Sequence, residues 1–157
     1  MTGKPQEGRK APAFTLETTH GKRRLADYAG KYLVLYFYPK DDTPGCTTQA
    51  LDFTAQAKAF EAAGAAVLAV SRDSLPRHEK FASKHALTIE LGSDEDGKVS
   101  DAYGTWEEKT LYGRTYMGMA RRTFLIGPDG KIIRVWPKVR VKGHAAEVLE
   151  NINSLTE

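Results

Sequence analysis

The hydrophobic residues of this chain fall into short runs separated by turn-forming residues. The longest run, YLVLYFY, occupies residues 32–38 and ends at Pro39, and a second run, AAVLAVS, occupies residues 65–71. Continuous aliphatic and aromatic runs of this length are typical of strands that are buried on both faces of a sheet. The pattern therefore predicts two central β-strands, the first of which leads into a loop over residues 40–45.

The segment between these two strands has the pattern of a helix. Apolar residues recur at roughly helical spacing through residues 46–63, and Gly64 ends the pattern. A strand–helix–strand order implies a parallel crossover. By the same criteria, further helices are predicted over residues 75–85, 97–103 and 143–155.

The rest of the chain predicts shorter elements. They are a strand over 13–17, a turn at His20-Gly21, one helical turn over 27–29, a strand over 89–91, a loop over 104–118, and a hairpin of residues 122–126 and 131–136 around Gly-Pro-Asp-Gly. This order predicts an α/β fold of the thioredoxin-like type, with a central mixed β-sheet flanked by helices. We expect a single domain over residues 1–157, with residues 1–10 as a flexible tail.

The composition is that of an ordinary globular protein, with 41% hydrophobic and 27% charged residues. A formal net charge of +3 is too small to indicate nucleic-acid binding, and the basic stretches Arg121-Arg122 and 134–142 are interpreted as solvated surface charge. No apolar run approaches the ~20 residues that span a membrane, and the first ten residues lack the apolar segment of a secretory signal. A lone cysteine suits a reducing compartment. We expect a cytoplasmic protein that binds neither nucleic acid nor membranes.

The one cysteine, Cys46, is predicted to lie in the first turn of the helix that follows the first central strand. Ligands of open α/β sheets bind at the carboxyl ends of strands, and free amides and the helix dipole stabilise an anion there. The thiolate is the reactive form of a cysteine, so this position favours a nucleophile over an inert buried residue. Thr43 is close enough in sequence to approach the sulfur, and Pro39 and Pro44 stiffen the loop.

The run YFYPKDDTPGCTTQ resembles the active-site segment of peroxiredoxins, in particular the bacterioferritin-comigratory protein or PrxQ branch. The segments APAFTLETTHGK, LGSDEDGKVSDAYG and RRTFLIGPDGKI extend the resemblance through nearly the whole chain. The resemblance implies a thiol-dependent peroxidase that reduces hydrogen peroxide and small organic hydroperoxides without a metal or an organic cofactor.

The resemblance also implies roles for four residues. Cys46 matches the peroxidatic cysteine, which becomes a sulfenic acid, and Thr43 matches the hydroxyl that positions the peroxide. Pro39 matches the residue that shields the pocket, and Arg121 matches the arginine that approaches the cysteine. Arg122 has the opposite strand phase, so only one of the two arginines should face the sulfur.

The chain departs from the family pattern, because the resemblance implies a second, resolving cysteine that many relatives carry. Leu51 stands at one of the two family positions for it, and Ala82 in the next helix stands in the region of the other. We therefore expect a one-cysteine enzyme, natural or engineered, that is reduced by an external thiol such as thioredoxin, glutaredoxin or a low-molecular-weight thiol. The resemblance implies a monomer, with a dimer as the alternative. Gln49 stands where many relatives have glutamate, and we expect tuning of activity rather than its loss.

Other functions fit the sequence less well. A dithiol oxidoreductase needs C-x-x-C, where this chain has Cys46-Thr47-Thr48-Gln49. A Cys–His hydrolase or a zinc site needs clustered ligands, and the scattered histidines are interpreted as surface residues: His20, His78, His85 and His144. A peroxide sensor or holdase chaperone that uses the same cysteine with poor turnover stays open. Three aromatic residues of the 104–118 loop either line a pocket or interface or pack internally: Trp106, Tyr112 and Tyr116.

Overall fold

The computed structural model describes residues 5–156. Its strands are β1 (Thr15–Thr18), β2 (Gly21–Arg24), β3 (Tyr32–Phe37), β4 (Ala65–Ser71), β5 (Glu90–Ser93), β6 (Trp106–Leu111), β7 (Arg114–Met119), β8 (Arg122–Ile126) and β9 (Ile132–Trp136). Its helices are α1 (Pro44–Ala55), α2 (Ala57–Ala62), α3 (Leu75–His85), α4 (Lys98–Ala102) and α5 (His144–Thr156), and a 3-10 helix spans Leu25–Tyr28.

Seven of the strands form one sheet in the order β2-β1-β5-β4-β3-β8-β9. Strands β3, β4 and β5 are parallel, and β8 pairs antiparallel with β3 on its other side. The predicted α/β thioredoxin-like fold with a mixed central sheet is therefore confirmed. Because β8 runs against β3, the start of β8 lies beside the end of β3, where Arg122 pairs with Phe37.

The sheet is covered on both faces by apolar side chains. Along β3, Val34 and Tyr36 belong to one buried cluster together with Phe53 of α1, whereas Leu35 and Phe37 belong to a second cluster on the opposite face. This alternation explains why the predicted strand reads as an uninterrupted apolar run. Strand β3 ends at Phe37, and the loop towards Cys46 follows it.

The predicted helix over residues 46–63 differs from the structure in two ways. It begins earlier, at Pro44, because proline in the first turn has no amide to leave unpaired. It is also divided at Gln56, which separates α1 from α2. The helix predicted over 75–85 has those bounds in the structure, with the Ser74 side chain accepting a bond from the Arg77 amide at its start.

Three strands of the structure were not predicted. The segment 104–118, expected to be a loop, contains the hairpin β6–β7, whose strands pair with each other in a sheet of their own. Its tip residues Tyr112 and Gly113 both have positive φ, 52° and 75°, as a two-residue hairpin turn requires. Strand β2 was also missed, since its sequence Gly-Lys-Arg-Arg is polar throughout and lacks a buried face.

The flexible tail expected over residues 1–10 stays a prediction, although residues 7–10 are hydrogen-bonded to the rest of the chain. Residues 1–4 lie outside the described part of the chain. The Gly8 amide donates to the Ile132 carbonyl at 2.8 Å, Lys10 forms a β-bridge with Lys131, and the Val135 amide donates to Glu7 at 3.0 Å. These bonds attach residues 7–10 to β9. That the chain forms a single domain stays a prediction, and within residues 5–156 no helix is long and apolar enough to cross a membrane.

Candidate active site

Cys46 lies in the first turn of α1, directly after the loop that leaves β3. Its residue surface is only 2% exposed, and it belongs to the same apolar cluster as Tyr36 and Phe53. Burial raises the pKa of the Tyr36 hydroxyl far above its ordinary value, and a charged Cys46 thiolate would raise it further. Tyr36 therefore stays neutral in the apolar cluster that contains Cys46.

The first turn of α1 has free backbone amides at Cys46 and at the residue before it. The first bond of the helix runs from the Thr47 amide to the Thr43 carbonyl at 2.8 Å, and Pro44 has no amide hydrogen. Within the described residues, nothing hydrogen-bonds to the amides of Gly45 and Cys46. Free amides at a helix start bind and stabilise negative charge, which suits a thiolate or an oxyanion beside it.

Thr43 stands at the start of α1 without capping it. Its hydroxyl donates instead to the Lys40 carbonyl at 2.8 Å. Because that bond uses the hydroxyl hydrogen, the oxygen keeps its lone pairs for a hydrogen-bond donor from outside the loop. Pro39 is exposed and follows the buried Tyr38, so its shielding role stays a prediction.

Arg121 immediately precedes β8, and its side chain contacts Cys46 beyond the end of the neighbouring strand β3. Its Nη2 donates to the Cys46 sulfur at 3.4 Å, and its Nη1 donates to Gln49 Oε1 at 2.7 Å. Gln49 lies one helical turn after Cys46, is 1% exposed, and its Nε2 has no hydrogen-bond partner within the described residues. No sequence pattern indicates the part played by Gly45. A Cβ there would lie 3.1 Å from Arg121 Nη2, so glycine makes room for the guanidinium.

Arg122 points away from the sulfur, as its strand phase predicts. Its guanidinium donates to the Gly104 carbonyl at 2.8 Å and to the Pro137 carbonyl at 3.2 Å, and it lies 3.4 Å from a carboxylate oxygen of Glu107. Neighbouring arginines at the start of β8 therefore have different environments. One faces Cys46, and the other ties β8 to the loops around it.

A buried polar network holds the loop that precedes Cys46. The Tyr38 hydroxyl donates to Asp41 Oδ1 at 2.5 Å, and His78 Nδ1 lies 2.7 Å from Asp41 Oδ2. His78 Nε2 lies 2.9 Å from the Gly92 carbonyl, which can only accept, so this nitrogen carries a hydrogen. An ionised Asp41 carboxylate can only accept, so it would place hydrogens on both nitrogens of His78 and make the two a buried charged pair. The interpretation of His78 as a surface residue was wrong, because it is 0% exposed.

Asp73 extends this network on the other side. It accepts from the Asp41 amide at 2.9 Å and from the Ser71 hydroxyl at 2.6 Å, and it pairs with Arg77 at 3.2 Å. Asp41, Asp73 and His78 bring three potential metal-ligand atoms within 4.8 Å of one another. Both ring nitrogens of His78 are already engaged, so hydrogen bonding accounts for this cluster without a metal ion.

An exposed contact joins the same loop to the end of α3. Asp42 has a positive φ of 61° and accepts from Lys84 at 2.7 Å and from His85 at 2.9 Å. Hydrogen bonds from these two side chains lower the pKa of the Asp42 carboxyl. Of the residues at which the resemblance implies a resolving cysteine in relatives, Ala82 is half-buried in α3 and Leu51 is 41% exposed on α1.

Comparison with known proteins identifies the family. A model of the AhpC/TSA family matches residues 8–135. The chain is 46% identical over 151 residues to the peroxiredoxin Bcp of Bacillus subtilis (strain 168), covering 96% of each protein. It is 48% identical over 143 residues to a putative peroxiredoxin bcp of Coxiella burnetii, covering 90% of this chain and 95% of the relative.

Comparison with solved structures indicates the same family. A cysteine-to-serine mutant of PrxQ from Xylella fastidiosa superposes with a TM-score of 0.93 at 39% identity, covering 99% of each chain. The bacterioferritin comigratory protein of Xanthomonas campestris, studied for alkyl peroxide reduction, superposes with a TM-score of 0.90 at 39% identity, covering 97% of this chain and 100% of that one. This chain belongs to the AhpC/TSA family and, within it, to the Bcp/PrxQ peroxiredoxins.

Proposed function

We propose that this peroxiredoxin reduces hydrogen peroxide and small organic hydroperoxides at Cys46. The observation that carries the proposal is the approach of Arg121 Nη2 to within 3.4 Å of the Cys46 sulfur at the start of α1. A guanidinium is always charged, so it favours the thiolate, which is the nucleophilic form of a cysteine.

In the proposed step, the Cys46 thiolate attacks the nearer oxygen of the hydroperoxide. The S–O bond forms while the O–O bond breaks, and the departing oxygen takes up a proton and leaves as water or an alcohol. Cys46 is then a sulfenic acid. Negative charge moves from sulfur to the departing oxygen, so donors fixed near that oxygen stabilise the transition state more than the bound substrate.

The residues around Cys46 have different roles in this step. Arg121 and the free amides of Gly45 and Cys46 supply the donors. The Thr43 oxygen, whose hydrogen is donated to Lys40, accepts from the hydroperoxide O–H and so fixes its orientation. Gln49 holds the Arg121 guanidinium from its other side at 2.7 Å. Alignment of this kind before reaction lowers the entropic part of the barrier.

Completion of the cycle requires a thiol from outside the chain. The sequence contains one cysteine, so the sulfenic acid has no internal thiol with which to form a disulfide. We further propose a cytoplasmic monomer that is recycled by thioredoxin, glutaredoxin or a low-molecular-weight thiol. Sedimentation of the reduced protein tests the monomer, for which a dimer is the contrary result.

Stopped-flow tryptophan fluorescence of the reduced protein mixed with hydrogen peroxide tests the proposal. We expect a rapid change whose rate rises with peroxide concentration and which is absent in Cys46→Ser. Dimedone labelling at Cys46, read by mass spectrometry, should appear at the same rate. A reaction no faster than that of a free thiol would overturn the proposal.

The sensor or holdase alternative is not favoured by the family comparisons. Steady-state turnover with an added thiol distinguishes the two. Turnover at a rate set by the thiol indicates a peroxidase, whereas rapid oxidation followed by negligible turnover indicates a sensor. Suppression of aggregation that persists in Cys46→Ser would indicate a chaperone.

A further inference from the structure

A cavity of about 470 Å³ lies at the start of α5. It is bordered by Trp136 at the end of β9, by residues of the connection 138–143 and by the first turn of α5. Its volume is within the range of binding sites for small molecules. The residues placed around Cys46 do not contribute to its lining, so this cavity is separate from the candidate active site.

The walls of this cavity carry more positive than negative charge. Lys138, Arg140 and Lys142 all line it, and all three are exposed. Glu147 is the one carboxylate of the lining, and its Oε1 lies 3.5 Å from Nδ1 of the neighbouring His144. Clefts lined by one sign of charge concentrate the oppositely charged ligand, so the excess of cations favours an anion.

The first turn of α5 offers unpaired backbone donors at the same place. The helix has 13 residues, and the Glu147 amide donates to the Gly143 carbonyl at 3.0 Å. Within the described residues, nothing hydrogen-bonds to the amides of Ala145 and Ala146. Free amides and the helix dipole make the start of a helix a binding site for anions, phosphate groups in particular.

Trp136 gives an independent indication that the cavity holds a ligand. Its residue surface is only 7% exposed, and its Nε1 has no hydrogen-bond partner within the described residues. An indole N–H can only donate, and buried donors are rarely left without an acceptor. The Arg134 guanidinium lies over the indole ring, 4.6 Å from its centroid, and adds positive charge beside it. An anion in the cavity would supply the missing acceptor.

We propose that this cavity is a binding site for a phosphate group, either inorganic phosphate or the phosphate of a small metabolite. A phosphate group presents several strong acceptor oxygens, so it can accept from helix amides, from an indole N–H and from Lys or Arg at the same time. A carboxylate has only two oxygens on one side and meets fewer of these donors. The site is additional to the peroxidase function proposed above and does not depend on it.

Titration of the reduced, ¹⁵N-labelled protein, followed by NMR at constant ionic strength, tests the proposal. The probes are inorganic phosphate, glycerol 3-phosphate and acetate. The chain has two tryptophans, so two indole N–H signals are expected, and Trp106→Phe assigns them. We expect saturable shifts of the Trp136 indole and of the Ala145 and Ala146 amides, with a Kd of about 1 mM or lower for a phosphate probe.

The three probes identify the ligand class. Acetate should bind at least about 10-fold more weakly than the better phosphate probe, because it offers fewer acceptors. The Trp106 indole signal should stay in place throughout. Tighter binding of glycerol 3-phosphate than of inorganic phosphate would identify a phosphorylated metabolite as the ligand, and the reverse order would identify free phosphate.

Variants of the lining locate the site. Glu147→Gln removes the carboxylate and should tighten phosphate binding several-fold, whereas Trp136→Phe keeps an aromatic ring without the N–H and should weaken it several-fold. Two triple variants remove equal charge. Lys138→Gln/Arg140→Gln/Lys142→Gln should weaken binding at least about 10-fold. The matched control removes three exposed cations that do not line the cavity and should leave the Kd unchanged: Lys22→Gln/Lys31→Gln/Lys58→Gln.

Several outcomes would overturn the proposal. They are the absence of saturable shifts at the Trp136 indole and the α5 amides with both phosphate probes, equal affinity for acetate and phosphate, and equal weakening by the two triple variants. The amide spectrum and the urea unfolding midpoint of each variant show that it is folded, so a lost site is distinguished from a lost fold. Cys46→Ser should bind phosphate with unchanged affinity, which separates this site from the peroxidase function.

Discussion

Replacing His78 with leucine should destabilise the protein much more than replacing its partner Asp41 with asparagine. His78→Leu leaves the Asp41 carboxylate, which is 4% exposed, without its cation. Removing one partner of a buried ion pair typically costs about 3–5 kcal/mol, because the remaining charge is desolvated and uncompensated. Stabilities of small domains are about 5–15 kcal/mol, so this loss is a large fraction of the total.

Asp41→Asn should cost only about 1 kcal/mol, since the network can rearrange around a neutral pair. The imidazole gives up one hydrogen, keeps the bond from Nε2 to the Gly92 carbonyl, and accepts at Nδ1 from the new amide. The amide oxygen still accepts from Tyr38, so no buried polar group loses its partner. Adding Asp41→Asn to His78→Leu should recover part of the lost stability, because it removes the isolated charge.

Equilibrium unfolding in urea at pH 7 under reducing conditions measures these differences. As a control, Lys84→Gln breaks an exposed contact to Asp42 and should leave the unfolding midpoint nearly unchanged. Equal destabilisation by Asp41→Asn and His78→Leu would refute the assignment of a buried charged pair. So would a double variant less stable than His78→Leu alone.

Three further changes test the site and its surroundings. Arg121→Lys keeps the charge but replaces the two guanidinium nitrogens that contact Cys46 and Gln49 with a single nitrogen. The rate with hydrogen peroxide in stopped flow should therefore fall about 10²-fold or more, and a fall below threefold would contradict the role of the guanidinium. Gly45→Ala places a methyl group 3.1 Å from Arg121 Nη2 and should slow the same step several-fold at unchanged stability; an unaltered rate would show that the arginine relaxes freely. Burial lowers the pKa of His144 below its ordinary 6.5. Just below pH 6.5 the unfolded chain therefore binds more protons than the folded chain. The free energy of unfolding should fall as the pH drops through that window. His144→Asn should flatten this slope in urea midpoints measured from pH 5 to 7.5, and an equal slope in the variant would exclude His144 as its source.

Sequence patterns were sufficient to predict those elements along which burial is uniform. The runs at β3 and β4 are apolar throughout because both of their faces are covered, and the turn sequence Gly-Pro-Asp-Gly marks the connection of β8 to β9. The same reasoning separated Arg121 from Arg122, because successive residues of a strand point in opposite directions. The position of Cys46 in the first helical turn followed from the strand that precedes it.

Sequence patterns did not predict strands that have no buried face. They also did not predict contacts between residues that are far apart in the sequence. Most side chains of β6 and β7 are at least partly exposed, so no alternation marks them as strands. Asp41 and His78 are 37 residues apart, and no local feature indicates that they meet. The interpretation of His144 as a surface histidine was wrong for a related reason, since it is 3% exposed and bonds to Thr123 at 2.9 Å on another element.

The separation of Cys46 and Arg121 by 75 residues has a consequence for folding kinetics. Loop closure of that length is slow relative to local helix formation, so α1 can form before β8 docks on β3. Until β8 docks, the cysteine lacks its guanidinium and reacts with peroxide as an ordinary thiol. During refolding, the appearance of rapid peroxide consumption therefore times the docking of β8, and the catalytic reaction itself serves as a probe of one assembly step.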